Sequence, residues 1–183
     1  TVVEDTLCDG GTSIITVTSP TELTSGEVYY DFTLVDSSFV AGEVTGQSPF
    51  IMENLGAIEQ TLNNNTDEYH YVEYRIHPYT LGNTNGANCD FGDIRDTTFS
   101  IYVNPTPRVL INVNEDTICN NQTSDITVTS PTILTTGEVL FDLTVEDQSG
   151  NAGDITGQAD IPNNLQGTTV QQTLANNSRD FQY

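Results

Sequence analysis

The sequence predicts an all-β protein built from two tandem antiparallel β-sandwich domains. Three observations carry that expectation. The chain repeats itself at a period of 111 residues: EDTLCDGGTSIITVTSPTELTSGEV from Glu4 returns as EDTICNNQTSDITVTSPTILTTGEV from Glu115, with 27 identities over the 44 positions 4–47 and 115–158. Apolar residues alternate with polar ones at period two, and no segment offers the 3.6-residue stripe of a helix. Turn-forming clusters interrupt the chain roughly every ten residues, the spacing of short-stranded sandwiches. A unit of 111 residues is the size of a self-sufficient domain, too long for a solenoid repeat that needs its neighbours to bury a core.

Strands are expected at 13–18 (SIITVT), 27–35 (EVYYDFTLV), 58–62 (IEQTL), 69–77 (YHYVEYRIH), 97–103 (TTFSIYV) and 108–113 (RVLINV). In the second of these, Val28, Tyr30, Phe32 and Leu34 share one face, and Val139, Phe141, Leu143 and Val145 repeat it in the second copy. That face is the expected core. The clusters SPTELTSG, AGEVTGQ, NNNTD and LGNTNGAN are the expected turns. About seven short strands per copy is the pattern of an immunoglobulin-like sandwich.

The boundary between copies falls at Asn104-Pro105-Thr106-Pro107, which gives domains 1–104 and 105–183. Pro105 and Pro107 fix backbone angles and remove two donors, making a short stiff joint. Such a joint between acidic domains favours a rod, about 80 Å long for two sandwiches of about 40 Å each. TLNNNTDEYHY at 61–71 aligns with TLANNSRDFQY at 173–183, so the second copy is expected to be cut short of its last strands and the natural protein to continue.

Charge narrows the partners. There are 26 acidic residues against four basic ones, all arginine, for a formal charge of −22. Nucleic acid demands a positive footprint and anionic membrane repels this surface, so neither is an expected partner. No run of apolar residues is long enough for a membrane helix, which argues against direct membrane insertion. Neighbouring repeats of the same chain, and a surface polysaccharide or substratum, are the expected partners. The cysteines are Cys8, Cys89 and Cys119, of which Cys8 and Cys119 hold the same position in the two copies. One bond per repeat, Cys8 with Cys89, is the simplest scheme, with Cys119 pairing beyond residue 183; the alternative is free thiols. Paired cysteines imply an oxidising compartment.

The order of elements carries a resemblance. A cysteine follows an acidic-Asp-Thr-aliphatic lead (EDTLC, EDTIC). Then come I-T-V, a long central strand, G-x-x-x-G-Q, Q-T-L-x-N, the aromatic strand YVEYRIHP, a late cysteine near glycine and the closing V-N-P-T-P. This resembles the PKD-like repeats of very large Bacteroidota surface proteins, in particular SprB-type gliding-motility adhesins. The resemblance implies an immunoglobulin-like array exported by a type IX secretion system to the cell surface, where it forms an extracellular filament for gliding and attachment. It brings no catalytic residue. Many immunoglobulin-like domains place a tryptophan on the central strand; here Tyr30 or Phe32 has to fill that space.

Asp5-Thr6-Leu7, Asp116-Thr117-Ile118 and Asp96-Thr97-Thr98 resemble the O-glycosylation acceptor of Bacteroidota, which makes Thr6, Thr117 and Thr97 candidate glycan sites, although Asp-Thr is also a good turn or strand-start pair. The Asn-x-Ser/Thr matches at Asn64, Asn121 and Asn176 carry less weight in a bacterial protein. Glu4, Asp5, Glu115 and Asp116, with Asp90 and Asp93 beside Cys89, are the oxygen donors a calcium ion would take. The spacing of calcium loops is missing, so a solvated acidic surface is the favoured reading and no cofactor is expected. His70 and His77 lie seven apart, on opposite faces of one strand, and cannot share a site from it. No pattern of an enzyme's nucleophile or carboxylate dyad is present, so no enzyme is expected. Tyr69, Tyr71, Tyr74 and Tyr79 form the one aromatic concentration. Exposed, they suit sugar stacking and a carbohydrate-binding or biofilm adhesion module; buried, they suit a structural spacer. The copy alignment points to Tyr69 and Tyr71 as the structural pair.

Overall fold

The computed structural model describes residues 2, 5–38, 40–54, 56–81, 95–149 and 151–182. Its regular structure is all β, with no α-helix among the described residues. The chain divides into two compact units: unit 1 is Thr1–Thr106 with Ile133–Thr135, and unit 2 is Pro107–Thr132 with Thr136–Tyr183.

The described residues of unit 1 form two sheets. The first has five strands in the order β1 (Thr6–Cys8), β8 (Thr97–Asn104), β7 (His70–Leu81), β3 (Glu27–Ser37) and β5 (Phe50–Asn54). The second has three, β2 (Gly11–Val17), β6 (Gly56–Asn64) and β4 (Val44–Thr45). All ladders are antiparallel except β1 with β8. Leu7, Tyr30, Phe32, Val72, Tyr74, Ile101 and Val103 from the first sheet join Ile15, Val17, Val44, Ile58 and Leu62 from the second in a single buried cluster. These are the alternate residues of each strand, so period two in the sequence becomes two apolar faces closing on each other. Phe32 and Tyr74 stack at its centre, with ring centroids 4.5 Å apart. Tyr30 and Phe32 both lie in this core.

Unit 2 contains β9 (Leu110–Val113), β10 (Gln122–Thr129), β11 (Leu140–Leu143), β12 (Ile155–Thr156), β13 (Ile161–Leu165) and β14 (Thr169–Asn176). They form a four-stranded sheet in the order β12, β14, β10, β9 and a separate pair, β11 with β13. The pairings follow those of unit 1 register by register. Gly11 faces Leu62 as Gln122 faces Leu174; Tyr29 faces Asn54 as Leu140 faces Leu165; Val44 faces Asn64 as Ile155 faces Asn176. The register break between Tyr30 and Phe32 returns between Phe141 and Leu143. A cross-strand hydroxyl pair, Thr12 with Thr61 at 2.6 Å, returns as Thr123 with Thr173 at 2.8 Å.

One turn shows why the local sequence recurs with the register. Gly46 and Gly157 sit at φ +98° and +97°, and a Cβ on either would fall about 2 Å from the carbonyl oxygen of Thr61 or Thr173. Only glycine allows the chain leaving β4 or β12 to pass that close to the neighbouring strand. The glutamine that follows donates back to the carbonyl of Val44 or Ile155, at 3.4 and 3.2 Å.

Two sequence expectations need correction. Leu34 shares the inward parity of Phe32 yet is 43% exposed, at the point where the register of β3 slips between Leu34 and Asp36. The structural tyrosines are Tyr30 and Tyr74, not Tyr69 and Tyr71. The inward positions of β7 are Val72 and Tyr74, which leaves Tyr69 41% exposed and Tyr71 half-buried.

Candidate functional site

The outward face of the five-stranded sheet of unit 1 gathers the chemistry. On β3 and β7 the residues alternating with the core positions are Tyr29, Asp31 and Thr33, and Arg75, His77 and Tyr79; they pair as Tyr29 with Tyr79, Asp31 with His77 and Thr33 with Arg75. Antiparallel pairing brings together residues about fifty positions apart in sequence. The Tyr29 and Tyr79 rings have centroids 6.3 Å apart and planes 25° apart; His77 extends the row, 6.2 Å from Tyr79 at 29°. A second aromatic pair, Tyr71 with Tyr102, lies along the same face at 5.9 Å.

Carboxylates fix this row. The Tyr29 hydroxyl donates to Glu27 Oε2 at 3.0 Å, and the Tyr79 hydroxyl donates to Asp31 Oδ1 at 3.2 Å. Both hydroxyls are held above the ordinary tyrosine range. For Tyr29 the cause is chiefly the hydrogen bond to Glu27 and then its charge; for Tyr79 it is burial first, then the charge of Asp31. Asp96, whose side chain is 8% exposed, lies 2.6 Å from His77 Nδ1 and 3.4 Å from Arg75 Nε. The result is a half-buried strip of rings bordered by carboxylate acceptors, which can stack on an apolar sugar face and accept hydrogen bonds from hydroxyls.

The other candidate residues are placed as follows. Thr6 is exposed on β1, the edge strand, and donates to Asp5 Oδ1 at 3.3 Å. Thr97 and Thr117 are also exposed. The Asp96 beside Thr97 is engaged by His77 and Arg75, whereas Asp5 and Asp116 are exposed beside their threonines. Cys8 and Cys119 are exposed; Cys89, the expected partner of Cys8, lies outside the described residues, as do Glu4, Asp90 and Asp93. Asp5, Glu115 and Asp116 are exposed, and among the described residues no three His, Cys, Asp or Glu side chains converge as a metal ion requires.

Asn64 is 4% exposed and donates through Nδ2 to the carbonyls of Glu68 and Val103, at 2.8 and 2.9 Å, while its Oδ1 accepts from Thr66. Its Asn-x-Thr triplet is thus a turn motif with both amide hydrogens used, and the bonds to Glu68 and Thr66 recur at Asn176 with Asp180 and Ser178. Asn121 takes φ +63° at the place of Gly10, a left-handed turn position that asparagine tolerates. His70 belongs to different surroundings from His77: its ring nitrogens lie 3.2 Å from Ser38 Oγ and 4.0 Å from Glu43.

Sequence reasoning found Tyr79 and missed Tyr29, Asp31, Arg75 and Asp96. The alternation of EVYYDFTLV put Tyr29 and Asp31 on the outward face, but only the strand pairing supplies their partners. Comparison with known proteins gives no matching family model, no matching curated protein and no matching solved structure.

Proposed function

We propose that this chain is a structural segment of a giant extracellular surface adhesin, made of tandem immunoglobulin-like domains and serving attachment and gliding. The observation that carries the reading is the recurrence of the same strand registers, register break and glycine turn at a separation of 111 to 112 residues within one polypeptide. A chain that builds one domain twice is an array, and arrays act by length and by load-bearing rather than by a cleft. The strand orders agree with an immunoglobulin-like sandwich, in which the first strand splits between the sheets. In unit 1 the early bridge of Val2 to Ile15 gives way to β1 running parallel to β8. The charge of −22 with no lysine keeps such domains from collapsing on each other. Small-angle scattering on the chain tests the filament: a rod supports it, and two domains folded back into a compact particle would remove it.

A second reading is favoured by one observation, the ring row of Tyr29, Tyr79 and His77 with its bordering carboxylates. In this reading unit 1 itself contacts a surface polysaccharide. The row is specific to unit 1, since Leu140 stands at the place of Tyr29 in unit 2. A glycan array probed with the chain and with its Tyr29→Ala, Tyr79→Ala variant separates the readings: retained or absent binding in both favours the spacer.

A further inference from the structure

The outward face of β3, β7 and β8 in unit 1 combines rings with charge of chiefly one sign. Glu27 and Asp31 accept from the hydroxyls of Tyr29 and Tyr79, Asp96 lies against His77 and Arg75, and Glu73, two positions from Arg75 on β7, shares its side of the sheet. Four carboxylates thus stand against the one guanidinium of Arg75. The rings mark the two ends of a track. Tyr29, Tyr79 and His77 hold one end, Tyr71 and Tyr102 the other, and along β7 from Tyr71 to Tyr79 the distance is roughly 26 Å at about 3.3 Å per residue. A ligand touching both ends is an extended chain.

The backbone offers such a chain little, because β7 is paired on one edge with β3 and on the other with β8. Recognition falls to side chains, which disfavours a strand-adding peptide. The tyrosines set a preference of charge. A phenol that donates to a carboxylate gains electron density on its ring, and an electron-rich ring face attracts a cation. Asp96 adds negative charge from below: its side chain is 8% exposed, and its Oδ2, 3.4 Å from Arg75 Nε, makes no hydrogen bond.

We propose that this face binds an extended polysaccharide bearing free amino groups, a de-N-acetylated hexosamine polymer whose ammonium groups meet the rings and carboxylates while its sugar rings lie along β7. The proposal rests on the reading of unit 1 as a polysaccharide contact and names the chemistry that contact selects. A neutral polymer gains the stacking alone, and a polyuronate meets like charge. The formal charge of −22 draws a polycation toward the chain from any side; the rings held by Glu27 and Asp31 decide where it stays.

The test titrates the full chain, at about pH 6 where carboxylates are ionised and a sugar amine is protonated, with hexamers of glucosamine, N-acetylglucosamine, galacturonate and lysine. Calorimetry should show glucosamine binding at least about tenfold tighter than its N-acetylated form, and no binding of galacturonate. Tyr29→Ala combined with Tyr79→Ala, both outside the core cluster, should weaken glucosamine binding about tenfold, and Asp31→Asn about threefold. The ranking of ligands on the unaltered chain decides the matter whatever the variants do to folding. N-acetylglucosamine or galacturonate binding as tightly as glucosamine overturns the amine selectivity and leaves the polysaccharide contact standing, whereas no binding of any sugar removes both. Lysine hexamer binding as tightly as glucosamine, or glucosamine binding untouched by the paired tyrosine substitutions in a folded variant, also overturns the proposal, by reducing it to attraction of any polycation to an acidic chain.

Discussion

Phe32 in unit 1 has no solvent exposure, while Leu143, at the same register position of unit 2, is half-buried; Tyr30 is buried and its counterpart Phe141 is not. The two units share their pairings, a register break and a glycine turn. They differ in what lies beyond the shared strands. In unit 1 the strands β7 and β8 add Val72, Tyr74, Ile101 and Val103, all fully buried, to one face of the core. Among the described residues of unit 2 only Val128, Val139 and Val170 are buried hydrophobics. The comparison separates two things that sequence similarity alone merges: strand register is set locally by alternation and turns, whereas core burial needs every strand of both layers.

The sharpest way to break the comparison is to empty both interiors at one register position. Phe32→Ala removes a ring packed on Tyr74, Phe50 and Phe99 and should cost unit 1 about 3–5 kcal/mol. Leu143→Ala should cost unit 2 less, about 1–2 kcal/mol, because its side chain is only half-buried. Chemical denaturation followed by near-ultraviolet circular dichroism reads chiefly unit 1, since seven of the eight tyrosines lie in it and only Tyr183 in unit 2. Equal losses at the two positions would mean that both interiors are closed in solution.

The glycine turns are expected to respond alike where the cores do not. Gly46→Ala and Gly157→Ala each force a side chain into φ near +98° and against a backbone carbonyl. Each should cost about 1–3 kcal/mol from backbone strain, with further loss if β4 or β12 detaches. Hydrogen exchange at Asn65 and Asn177 reports detachment, because their amides donate to the carbonyls of Glu43 and Asp154, which lead into β4 and β12. A large effect in one unit alone would show that the shared register does not reflect a shared turn energy.

Alkali should distinguish the units next. Burial holds the Tyr74 hydroxyl far above the ordinary value of 10.0. Folding therefore favours the protonated phenol: this contribution is fully present below pH 10 and is lost as pH rises beyond it, when the unfolded chain ionises and the folded one resists. The raised Tyr29 and Tyr79 add in the same direction. Tyr74→Phe should flatten the alkaline loss while costing about 1 kcal/mol at neutral pH through its bond to Gln60. Denaturation midpoints between pH 8 and 11, with tyrosinate absorbance, check both statements.

Much of this was legible from alternation. The inward residues Tyr30 and Phe32, the strand at 97–103 and the strand cores at 13–18 and 58–62 follow from period two. The misses share a physical cause. β1, β4 and β5 are short or lack alternation, and β1 exists through a parallel ladder to β8 some ninety-six residues away, which no local pattern encodes. Tyr69 and Tyr71 were favoured by copy alignment, whereas the parity of Val72 and Tyr74 on β7 decides burial. Of the ring row, Tyr79 belonged to a visible aromatic cluster; Tyr29 and Asp31 became its neighbours only through pairing across the sheet.

The smallest expected effect lies in unit 2 and has the opposite pH sign. Asp147 is held below the ordinary carboxylate range, chiefly by its hydrogen bonds with Ser149 and further by the backbone of Gly153 and Ile155. Its Oδ1 accepts from the Ser149 amide at 2.9 Å, so the carboxylate closes the loop that leads into β12. A depressed value means that folding favours the ionised form: the contribution is present above the ordinary value of 3.8 and fades as pH falls through and below it. The residue is only half-buried, so solvent screens the effect, and the readout has to be local. Asp147→Ala should speed amide exchange from Ser149 to Ile155 and leave the tyrosine signal of unit 1 unmoved. Lowering the pH of the unaltered chain below 3.8 should reproduce that local opening once intrinsic exchange rates are corrected. If the substitution instead loosens β11 as well, the loop and that strand act as one cooperative element.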